Sequence, residues 1–393
     1  MSLRTLHSSH VRHKVVLVRA DLNVSLRDGQ ILDQTRIEKF LPTLRFLINH
    51  EAKVVLITHL GRPKGKPVPE LKLAPIALCL SKLLGGKEVP VVPLEKASAP
   101  IASMKLGDVL LLENIRFYPG EEANDAVFAQ QLASLGDIFV NDAFSVSHRA
   151  HASVEAVTHF IPSYAGEQLV EEVETLSKVL TNPQHPVIAL VGGAKVSTKI
   201  ELLKTLSQTV DTLIIAGGLA HTFIAAQGYG VGKDSLNDPS MTPLARSILE
   251  SSKAEIILPE DVRTASAVEY GQATRNVPIA AIDSQQIIVD MGDKTIVRVD
   301  TLLETARTLI WNGAVGIFEI PPFDQGTLHL ARHIAGLTKK GQLFSVAGGG
   351  ETIAALNKAG VMESLSYVST GGGAFLEFLE GRNLPGIVAL EKA

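Results

Sequence analysis

Four glycine-rich turns in the second half of the chain are the first candidates for chemistry. Each follows a short apolar run and precedes a segment with helical periodicity: GGAK at 192–195, GG at 217–218, GGGET at 348–352 and TGGG at 370–373. Glycine lets the backbone approach a phosphate closely, and the free amides at a helix start favour anions. One such turn is ordinary, whereas four in one region predict a nucleotide or polyphosphate site, with Lys195 and Lys199 beside the first turn.

Two familiar phosphate-binding motifs are absent from the sequence. No G-x-x-x-x-G-K-[ST] stretch occurs, which excludes a P-loop enzyme. The glycines of 228–232 (GYGVG) have the wrong spacing for a dinucleotide fingerprint and follow a helix-like segment, so we expect a loop there. A dehydrogenase that holds a dinucleotide in the glycine-rich turns remains an alternative, which titration with a nicotinamide cofactor would decide.

The first half of the chain carries basic residues at strand ends and in the adjoining turns. They are Arg19, Arg36, Arg62, Arg116 and Arg149, with His59, His148 and His151 beside them. One such arginine alone would be an ordinary surface charge, and the histidines at 148 and 151 are equally well explained as packing or helix-start residues. Ligands of open α/β sheets, however, bind at the carboxyl ends of the strands, and guanidinium groups bind phosphate and carboxylate in a bidentate manner. The set therefore predicts a site for a small polyanion that carries both groups.

Short β-branched runs, among them 54–58, 89–92, 187–191 and 286–289, alternate with segments of helical periodicity such as 35–49, and together they supply the elements that position both sets of residues. Most runs, such as 54–58 and 187–191, are continuously apolar, which is typical of strands buried on both faces of a parallel sheet. The alternation predicts doubly wound sheets with right-handed crossovers. About twelve runs are too many for one compact sheet of this kind. The predicted fold class is therefore α/β, with two doubly wound parallel-sheet domains joined by a hinge helix.

An amphipathic, acidic segment at 166–180 (GEQLVEEVETLSKVL) provides that hinge helix, and it ends before Pro183 because proline stops helical propagation. We expect an N-terminal anion-binding domain over 1–165, a hinge helix and linker over 166–183, and a C-terminal nucleotide-binding domain over 184–384. This arrangement suits a kinase that closes about a hinge to align two substrates and exclude water.

The bulk composition is typical of a soluble globular protein. The 393 residues are 46% hydrophobic and 20% charged, and 37 Lys and Arg against 41 Asp and Glu give a formal net charge of −4. This balance argues against general nucleic-acid binding. The single cysteine, Cys79, excludes an internal disulfide and is expected as a core residue rather than a nucleophile. No signal peptide, membrane-spanning run or heptad segment stands out, so we expect a cytoplasmic monomer without a membrane partner.

Taken together, the motifs make the chain resemble the 3-phosphoglycerate kinase family over essentially its whole length. The matching segments are RADLNV at 19–24, Arg36, THLGRP at 58–63, LLENIRFYPGEE at 111–122, NDAF at 141–144, HRAHAS at 148–153, GGAKVSTKI at 192–200, WNGAVGIFE at 311–319, GGGET at 348–352 and STGGGA at 369–374. The resemblance implies a phosphotransferase that moves a phosphoryl group reversibly between 1,3-bisphosphoglycerate and ADP, giving 3-phosphoglycerate and ATP. It implies Mg²⁺ as cofactor and direct in-line transfer on hinge closure, in glycolysis or gluconeogenesis.

The resemblance also implies a role for each matching residue. The 3-phosphoglycerate side would be held by Asp21, Asn23, Arg36, His59, Arg62, Arg116 and Arg149. The nucleotide side would be formed by Gly193, Lys199, Gly217, Gly218, Glu319 (on the ribose), Gly349, Gly350, Glu351 and Thr352. The transferring group would be flanked by Arg36 and Lys195 and would receive backbone amides from Gly371, Gly372 and Gly373. No general base is expected, because a carboxylate is already a competent nucleophile, and the segment 385–393 is expected to return to the first domain.

Three segments depart from the family pattern. Glu351, the expected Mg²⁺ ligand, stands where an aspartate is usual, and Mg²⁺ tolerates geometric error poorly. Ala314-Val315 replaces a proline-containing pair, and Ser145-Val146-Ser147 replaces a glycine-containing segment before His148. Because the charged groups of the mechanism are all retained, we expect activity, and the third interpretation, a non-catalytic binding protein with the same fold, is disfavoured.

Overall fold

The computed structural model describes residues 2–392, so Met1 and Ala393 lie outside it. Within these residues the chain divides into two compact units. The first contains residues 2–174 together with 383–392, and the second contains Thr175–Arg382. The four domain ranges predicted from the sequence, with their functional roles, stay a prediction.

The first unit is built on a six-stranded parallel sheet. Its strands and a small hairpin (β2, β3) are β1 (Val15–Ala20), β2 (Leu26–Arg27), β3 (Gln30–Ile31), β4 (Lys53–Ile57), β5 (Val91–Val92), β6 (Val109–Leu112), β7 (Ile138–Asp142) and β8 (Ser163–Ala165). The helices are α1 (Ser8–Val11), α2 (Thr35–Asn49), α3 (Ala74–Leu83), α4 (Ser98–Ser103), α5 (Pro119–Glu122) and α6 (Ala126–Ala133). The strand order is β5-β6-β4-β1-β7-β8, which places the ends of β6, β4, β1 and β7 side by side.

The two faces of this sheet pack into separate apolar clusters, because successive strand residues point to opposite faces. Val16 and Val18 of β1 belong to one cluster, and Leu17 belongs to the other. In α2, Phe40, Leu44 and Leu47 are fully buried and recur at helical spacing against the first cluster. Both faces of β1 are therefore buried, as the continuous apolar run predicted.

The helix α7 (Glu167–Thr181) contains the division between the two units, and its bounds lie within one residue of the predicted hinge helix at 166–180. At its first turn, the Leu169 amide donates to Asp142 Oδ1 at the end of β7 (3.0 Å), and the Glu167 amide donates to Thr43 Oγ1 (3.1 Å). These side chains satisfy amides that the helix itself leaves unpaired.

The second unit contains a parallel sheet and a smaller antiparallel one. Its strands are β9 (Val187–Val191), β10 (Thr212–Ile215), β11 (Glu255–Ile257), β12 (Asp261–Ala265), β13 (Arg275–Pro278), β14 (Ile287–Met291), β15 (Thr308–Asn312), β16 (Phe344–Gly348) and β17 (Tyr367–Ser369). The helices are α8 (Ile200–Thr209), α9 (Gly217–Ala226), α10 (Thr242–Ser251), α11 (Asp293–Thr305), α12 (Gln325–Lys339), α13 (Gly350–Ala359) and α14 (Gly373–Leu379). The parallel order is β11-β10-β9-β15-β16-β17, and the antiparallel order is β13-β12-β14.

Two parallel sheets in a mixed α/β chain confirm the predicted fold class. The antiparallel sheet differs from expectation, because the run at 286–289 was assigned to a parallel strand. All five residues of β14 are buried, so its apolar run does not distinguish the two kinds of sheet. Its partner β12 contains two charged residues, Asp261 and Arg263, among its five residues. An apolar run therefore does not mark this strand in the sequence.

The C-terminal segment, with α15 (Pro385–Val388), belongs to the first unit. Its Gly386 amide donates to the Ser147 carbonyl (2.9 Å), and the Arg4 amide donates to the Leu390 carbonyl (2.9 Å). A Cβ on Gly386 would lie 2.6 Å from Val154 Cγ1, so the segment packs too closely for a side chain there. None of the helices within residues 2–392 is long and apolar enough to span a membrane.

Candidate active site

The residues expected to bind the anionic substrate follow neighbouring strands of the first sheet. Asp21 and Asn23 follow β1, His59 follows β4, and Arg116 lies in the 3₁₀ turn Ile115–Phe117 after β6. Because β6, β4 and β1 are adjacent and parallel, these residues meet at the carboxyl edge of the sheet.

Asp21 is the acidic centre of this edge and is almost fully buried. Its Oδ2 accepts hydrogen bonds from Arg36 Nη1 (2.6 Å) and from the Ser145 hydroxyl (2.5 Å). Its Oδ1 accepts from the Asn23 amide (3.3 Å). Arg36 reaches the edge from α2 and keeps about a third of its side chain exposed, so a charge-assisted pair fixes it while part of it faces solvent.

The Gly61 backbone joins two further members of the set. Asn23 Oδ1 accepts from the Gly61 amide (2.9 Å), and Arg116 Nη1 donates to the Gly61 carbonyl (2.9 Å). Gly61 has a φ of 62°, in the left-handed region that favours glycine. The loop after β4 is therefore held from both sides by residues of the predicted site.

Burial and mutual repulsion lower the pKa of the basic groups at this edge. Desolvation, followed by the charge of Arg19, lowers the pKa of Arg116 to about 10. Desolvation and the charges of Arg116 and Arg19 lower the pKa of His151 to about 4. An anion placed here would relieve the repulsion among these groups, which is the electrostatic signature of a polyanion site.

Two predicted ligands are less firmly placed than the rest. Arg62 lies on the exposed surface of the loop after β4, and no contact within residues 2–392 ties its side chain to the other site residues. Arg149 Nε donates to His148 Nε2 (3.2 Å), and its charge acts on the pKa of Arg116, so it lies at the margin of the cluster.

Arg19 does not lie at the surface of the cluster, although the sequence grouped it with the anion-binding arginines. Its side chain is fully buried and donates to Ser153 Oγ (2.9 Å), the Ala20 carbonyl (2.6 Å) and His59 Nδ1 (3.0 Å). The sequence could not show this, because Arg19 follows the same strand as the site residues and differs from them only in its tertiary contacts.

In the second unit, the glycine turns after β9 and β15 pack backbone against backbone. The Gly193 amide donates to the Ala314 carbonyl (2.9 Å), and a Cβ on Gly192 would lie 2.0 Å from that same oxygen. Gly193 and Gly217 have φ values of 111° and 64°, which strain any other residue. Close approach to the neighbouring backbone and positive φ therefore require glycine here, while the approach of a phosphate to these turns stays a prediction.

Two cavities adjoin these turns at the carboxyl edge of the second parallel sheet. The first has a volume of about 380 Å³, and its wall is formed by apolar residues such as Val289, Val315 and Phe318 with the predicted Gly193, Gly217, Gly218 and Glu319. The second has a volume of about 410 Å³, and its wall includes Lys195, Lys199, Gly349, Gly350 and Thr352. Glu351 and Ala194 line both cavities, so the two are neighbours.

The lining residues are of the types expected for a nucleotide site, since apolar residues and Glu319 line the first cavity and lysines and glycines line the second. Binding of a base and ribose in the first and of phosphates in the second stays a prediction. Leu376 of α14 lines the second cavity as well, whereas the predicted Gly371, Gly372 and Gly373 at the start of that helix are not among its lining residues. The loop at 228–232 has no helix or strand, as expected.

The comparisons with known proteins agree with this geometry. The family model of phosphoglycerate kinase matches residues 6–382. A phosphoglycerate kinase of Methylorubrum extorquens is 50% identical over 385 residues, covering 96% of this chain and 95% of its own length. One of Sinorhizobium fredii is 48% identical over 398 residues and is covered along its full length. The chain belongs to the phosphoglycerate kinase family.

Solved structures of this family share the fold. The phosphoglycerate kinase of Coxiella burnetii superposes with a TM-score of 0.89 at 42% identity, and 97% of each chain is covered. The enzyme of Pyrococcus horikoshii gives a TM-score of 0.84 at 29% identity, with 99% of this chain and 98% of its own covered. Membership in the phosphoglycerate kinase family confirms the predicted enzyme class, a kinase of glycolysis that transfers a phosphoryl group reversibly.

Lys199 has the most strongly lowered pKa of the cations predicted to bind the nucleotide. Its Nζ donates to the Gly192 carbonyl (2.7 Å), and desolvation lowers its pKa to about 8, although Glu351 acts in the opposite direction. Lys195, by contrast, is exposed at the wall of the second cavity. The two lysines therefore differ in character, one held and partly desolvated and the other free to extend.

Glu351 and Thr352 occupy the first turn of α13 and have different tasks. Thr352 Oγ1 accepts from the Gly313 amide (2.7 Å) and donates to the Gly348 carbonyl (2.9 Å), so it is a buried connection between the loops after β15 and β16. Asn312 Nδ2 strengthens the same connection by donating to the Gly348 carbonyl (2.6 Å). Asn312 is not among the residues predicted for the site, although its place at the end of the apolar strand β15 was a usable signal.

The donor set at Glu351 fits Mg²⁺ that arrives with a nucleotide. Residues 2–392 contain no group of three or more His, Cys, Asp or Glu side chains that could hold a metal ion on their own. Mg²⁺ is commonly bound by one or two carboxylates together with substrate phosphates, and Glu351 supplies one carboxylate at the border of the two cavities.

Proposed function

We propose that this protein transfers a phosphoryl group between 1,3-bisphosphoglycerate and ADP, forming 3-phosphoglycerate and ATP. The observation that supports this most directly is that each unit has a candidate half-site at the carboxyl edge of its own parallel sheet. One is a basic edge around Asp21, Arg36 and Arg116, and the other is the pair of cavities around Lys199 and Glu319.

On the substrate side, Asp21, Asn23, Arg36, His59, Arg62, Arg116 and Arg149 would hold 3-phosphoglycerate. Arg36 is held by Asp21, which orients its guanidinium before any ligand arrives. Such pre-organisation removes part of the entropic cost of ordering the side chain on binding. Arg116 and Arg149 would supply charge to the phosphate end, while Arg62 would need to move onto the ligand from its exposed position.

On the nucleotide side, Gly193, Gly217, Gly218 and Glu319 would hold the base and ribose, and Lys199, Gly349, Gly350, Glu351 and Thr352 would surround the phosphates. Mg²⁺ would offset the charge of those phosphates, with Glu351 as its protein ligand. Lys195 and Arg36 would stabilise the charge of the transferring group, aided by the amides of Gly371, Gly372 and Gly373. The carboxylate of 3-phosphoglycerate attacks directly, so no side chain has to remove a proton.

In-line transfer requires both substrates to meet, and we place the hinge for that closure in α7. We also propose that the protein acts as a cytoplasmic monomer. Size-exclusion chromatography with light scattering would test the monomer, and a stable dimer at micromolar concentration would contradict it.

The function is tested by a coupled assay with 3-phosphoglycerate, ATP and Mg²⁺. Lys195→Ala should lower turnover by about 10³-fold or more, because a cation at the transferring group is worth that much in related reactions. Lys253→Ala is the matched control, since Lys253 is exposed and precedes β11, at the opposite edge of the same sheet. A folded parent that binds ADP but shows no turnover would overturn the proposed reaction, and equal activity of both variants would overturn the role of Lys195.

A further inference from the structure

The side-chain hydrogen bonds of Arg19 are made to neighbouring residues of the protein and leave no nitrogen directed at a ligand of the basic edge. The guanidinium is fully buried, and its three nitrogens donate to Ser153 Oγ, the Ala20 carbonyl and His59 Nδ1. The charges of Glu121 and Asp21 balance the guanidinium. Glu121 is also fully buried and accepts from the Ser153 hydroxyl (2.7 Å) and the Ser153 amide (2.9 Å). Arg19 is thus a fixed buried cation and not a mobile ligand.

The contact between Arg19 and His59 determines where the histidine carries its proton. A guanidinium group has only donors and does not lose a proton in proteins, so the nitrogen that faces it at 3.0 Å has to be an acceptor. That nitrogen is Nδ1. A neutral imidazole has one acceptor and one donor nitrogen, and the donor is therefore Nε2.

The surroundings of His59 also disfavour its charged form. The ring is 3% exposed, and the groups that face it are Arg19 from β1, Arg116 from the turn after β6, Arg36 from α2, and His151. Desolvation, followed by these positive charges, lowers the pKa of His59 well below 6.5. Nε2 makes no hydrogen bond to any of residues 2–392, although His59 lies at the edge where the anionic substrate is expected.

We infer that Arg19 is a positioning residue that holds His59 as a neutral imidazole with its proton on Nε2, as a donor for a carboxylate or phosphate oxygen of the substrate. The inference rests on the proposed function only for the identity of that oxyanion. The tautomer itself is a property of the free protein. The contact with Arg19 thereby gives the site a neutral hydrogen-bond donor, His59 Nε2, whose protonation does not change with pH. A charged imidazolium at this position would be repelled by the neighbouring arginines.

The tautomer can be read directly in the ligand-free parent protein. Two-bond ¹H–¹⁵N correlation spectra distinguish a protonated ring nitrogen from a bare one, and comparison with His59→Gln assigns the signals of His59. We expect a protonated Nε2, a bare Nδ1 and no titration between pH 5.5 and 8.5. A proton on Nδ1, or a ring that titrates near pH 6.5, would overturn the inference whether or not the protein shows kinase activity.

A kinetic test asks whether Arg19 is responsible. In Arg19→Met, the ring should exchange between tautomers, and the KM for 3-phosphoglycerate at pH 8 should rise about three- to tenfold, the worth of one hydrogen bond. The ratio of variant to parent KM should then fall toward acidic pH, because loss of the Arg19 charge raises the pKa of His59 and makes its charged form more accessible, although burial and the charge of Arg116 still lower that pKa. Using the ratio cancels the ionisation of the substrate phosphate.

A merely structural role for Arg19 predicts a different result. It would raise the KM by the same factor at every pH, and this outcome would overturn the inference. Arg19→Lys should restore part of the effect, because an ammonium also donates to Nδ1. ADP affinity serves as the folding control, and if Arg19→Met does not fold, the spectra of the parent decide the question alone.

Discussion

The substitution Gly192→Ala tests whether close packing of the backbone around Gly192 determines the shape of the predicted nucleotide site. A Cβ on Gly192 would lie 2.0 Å from the Ala314 carbonyl oxygen and 2.7 Å from its carbon, and both are backbone atoms. Relief requires the end of β9 and the loop after β15 to separate. That movement breaks the bonds from the Gly192 amide to the Asn312 carbonyl (2.8 Å) and from the Gly193 amide to the Ala314 carbonyl (2.9 Å).

The expected cost follows from these two effects. Overpacking costs about 1–3 kcal/mol, and each of the two buried hydrogen bonds left unmade adds about 1–3 kcal/mol, so Gly192→Ala should destabilise the second unit by at least about 3 kcal/mol. For a unit of this size, that lowers Tm by roughly 10 °C. ADP affinity should fall at least about tenfold, because Gly193 and Ala194 line the nucleotide cavities and a shift of this backbone costs well over 1.4 kcal/mol in binding.

Gly336→Ala is the matched control, because it is the same substitution in the same unit. Gly336 lies inside α12, and a Cβ there would meet nothing within 4 Å. Alanine is preferred to glycine in a helix, so this variant should be stabilised by about 0.5–1 kcal/mol and keep its ADP affinity. Calorimetry and ADP titration measure both variants. A Tm for Gly192→Ala within 2 °C of the parent would refute the packing argument.

Three further predictions concern charge and positioning. Arg36→Ala should lower turnover by about 10³-fold while ADP affinity survives, and a loss under about tenfold in steady-state kinetics would contradict its role at the transferring group. The affinity for ADP should weaken as the pH rises through about 8, where Lys199 loses its proton; Lys199→Arg should remove this dependence in calorimetric titrations, because arginine stays charged. Ser145→Ala should raise the KM for 3-phosphoglycerate about three- to tenfold without changing ADP affinity, since Asp21 loses a charge-assisted hydrogen bond, and an unchanged KM would show that Arg36 alone holds Asp21.

Much of the architecture could be predicted from local patterns, because those patterns are what form the elements. The helix over 35–49 has the predicted bounds, since its apolar residues recur at helical spacing from end to end. The strand predicted over 89–92 covers only Val91–Val92 in the structure. Pro90 and Pro93 flank this strand, and proline has no amide hydrogen to donate to a neighbouring strand. The antiparallel sheet was not predicted, because strand pairing depends on the whole chain. In addition, β14 is buried on both faces, so its sequence lacks the alternation of apolar and polar residues that indicates a half-exposed antiparallel strand.

The candidate site was predictable by residue type and less so by role. The types are visible because charged residues and glycines follow apolar runs, and the fold brings the ends of those runs to one edge of each sheet. The roles of Arg19 and Arg36 look alike in the sequence, yet one is fully buried on Ser153 and the other pairs with Asp21 and keeps partial exposure. For Arg19 the difference arises from its contact with Ser153, which lies 134 positions away in the chain. Local sequence contains no information about such a contact.

The segment 145–147 shows how a departure from the family pattern can keep a site intact. The Ser145 hydroxyl donates to Asp21 Oδ2, so the segment that departs from the family pattern adds a hydrogen bond to the pair of Asp21 and Arg36. The Ser147 hydroxyl donates to the Ala143 carbonyl (3.0 Å), and its carbonyl accepts from the Gly386 amide. One serine thus faces the substrate edge while the other supports the returning C-terminal segment. If this division is correct, Ser145→Gly should alter the KM for 3-phosphoglycerate with little change in Tm, and Ser147→Val should lower Tm first.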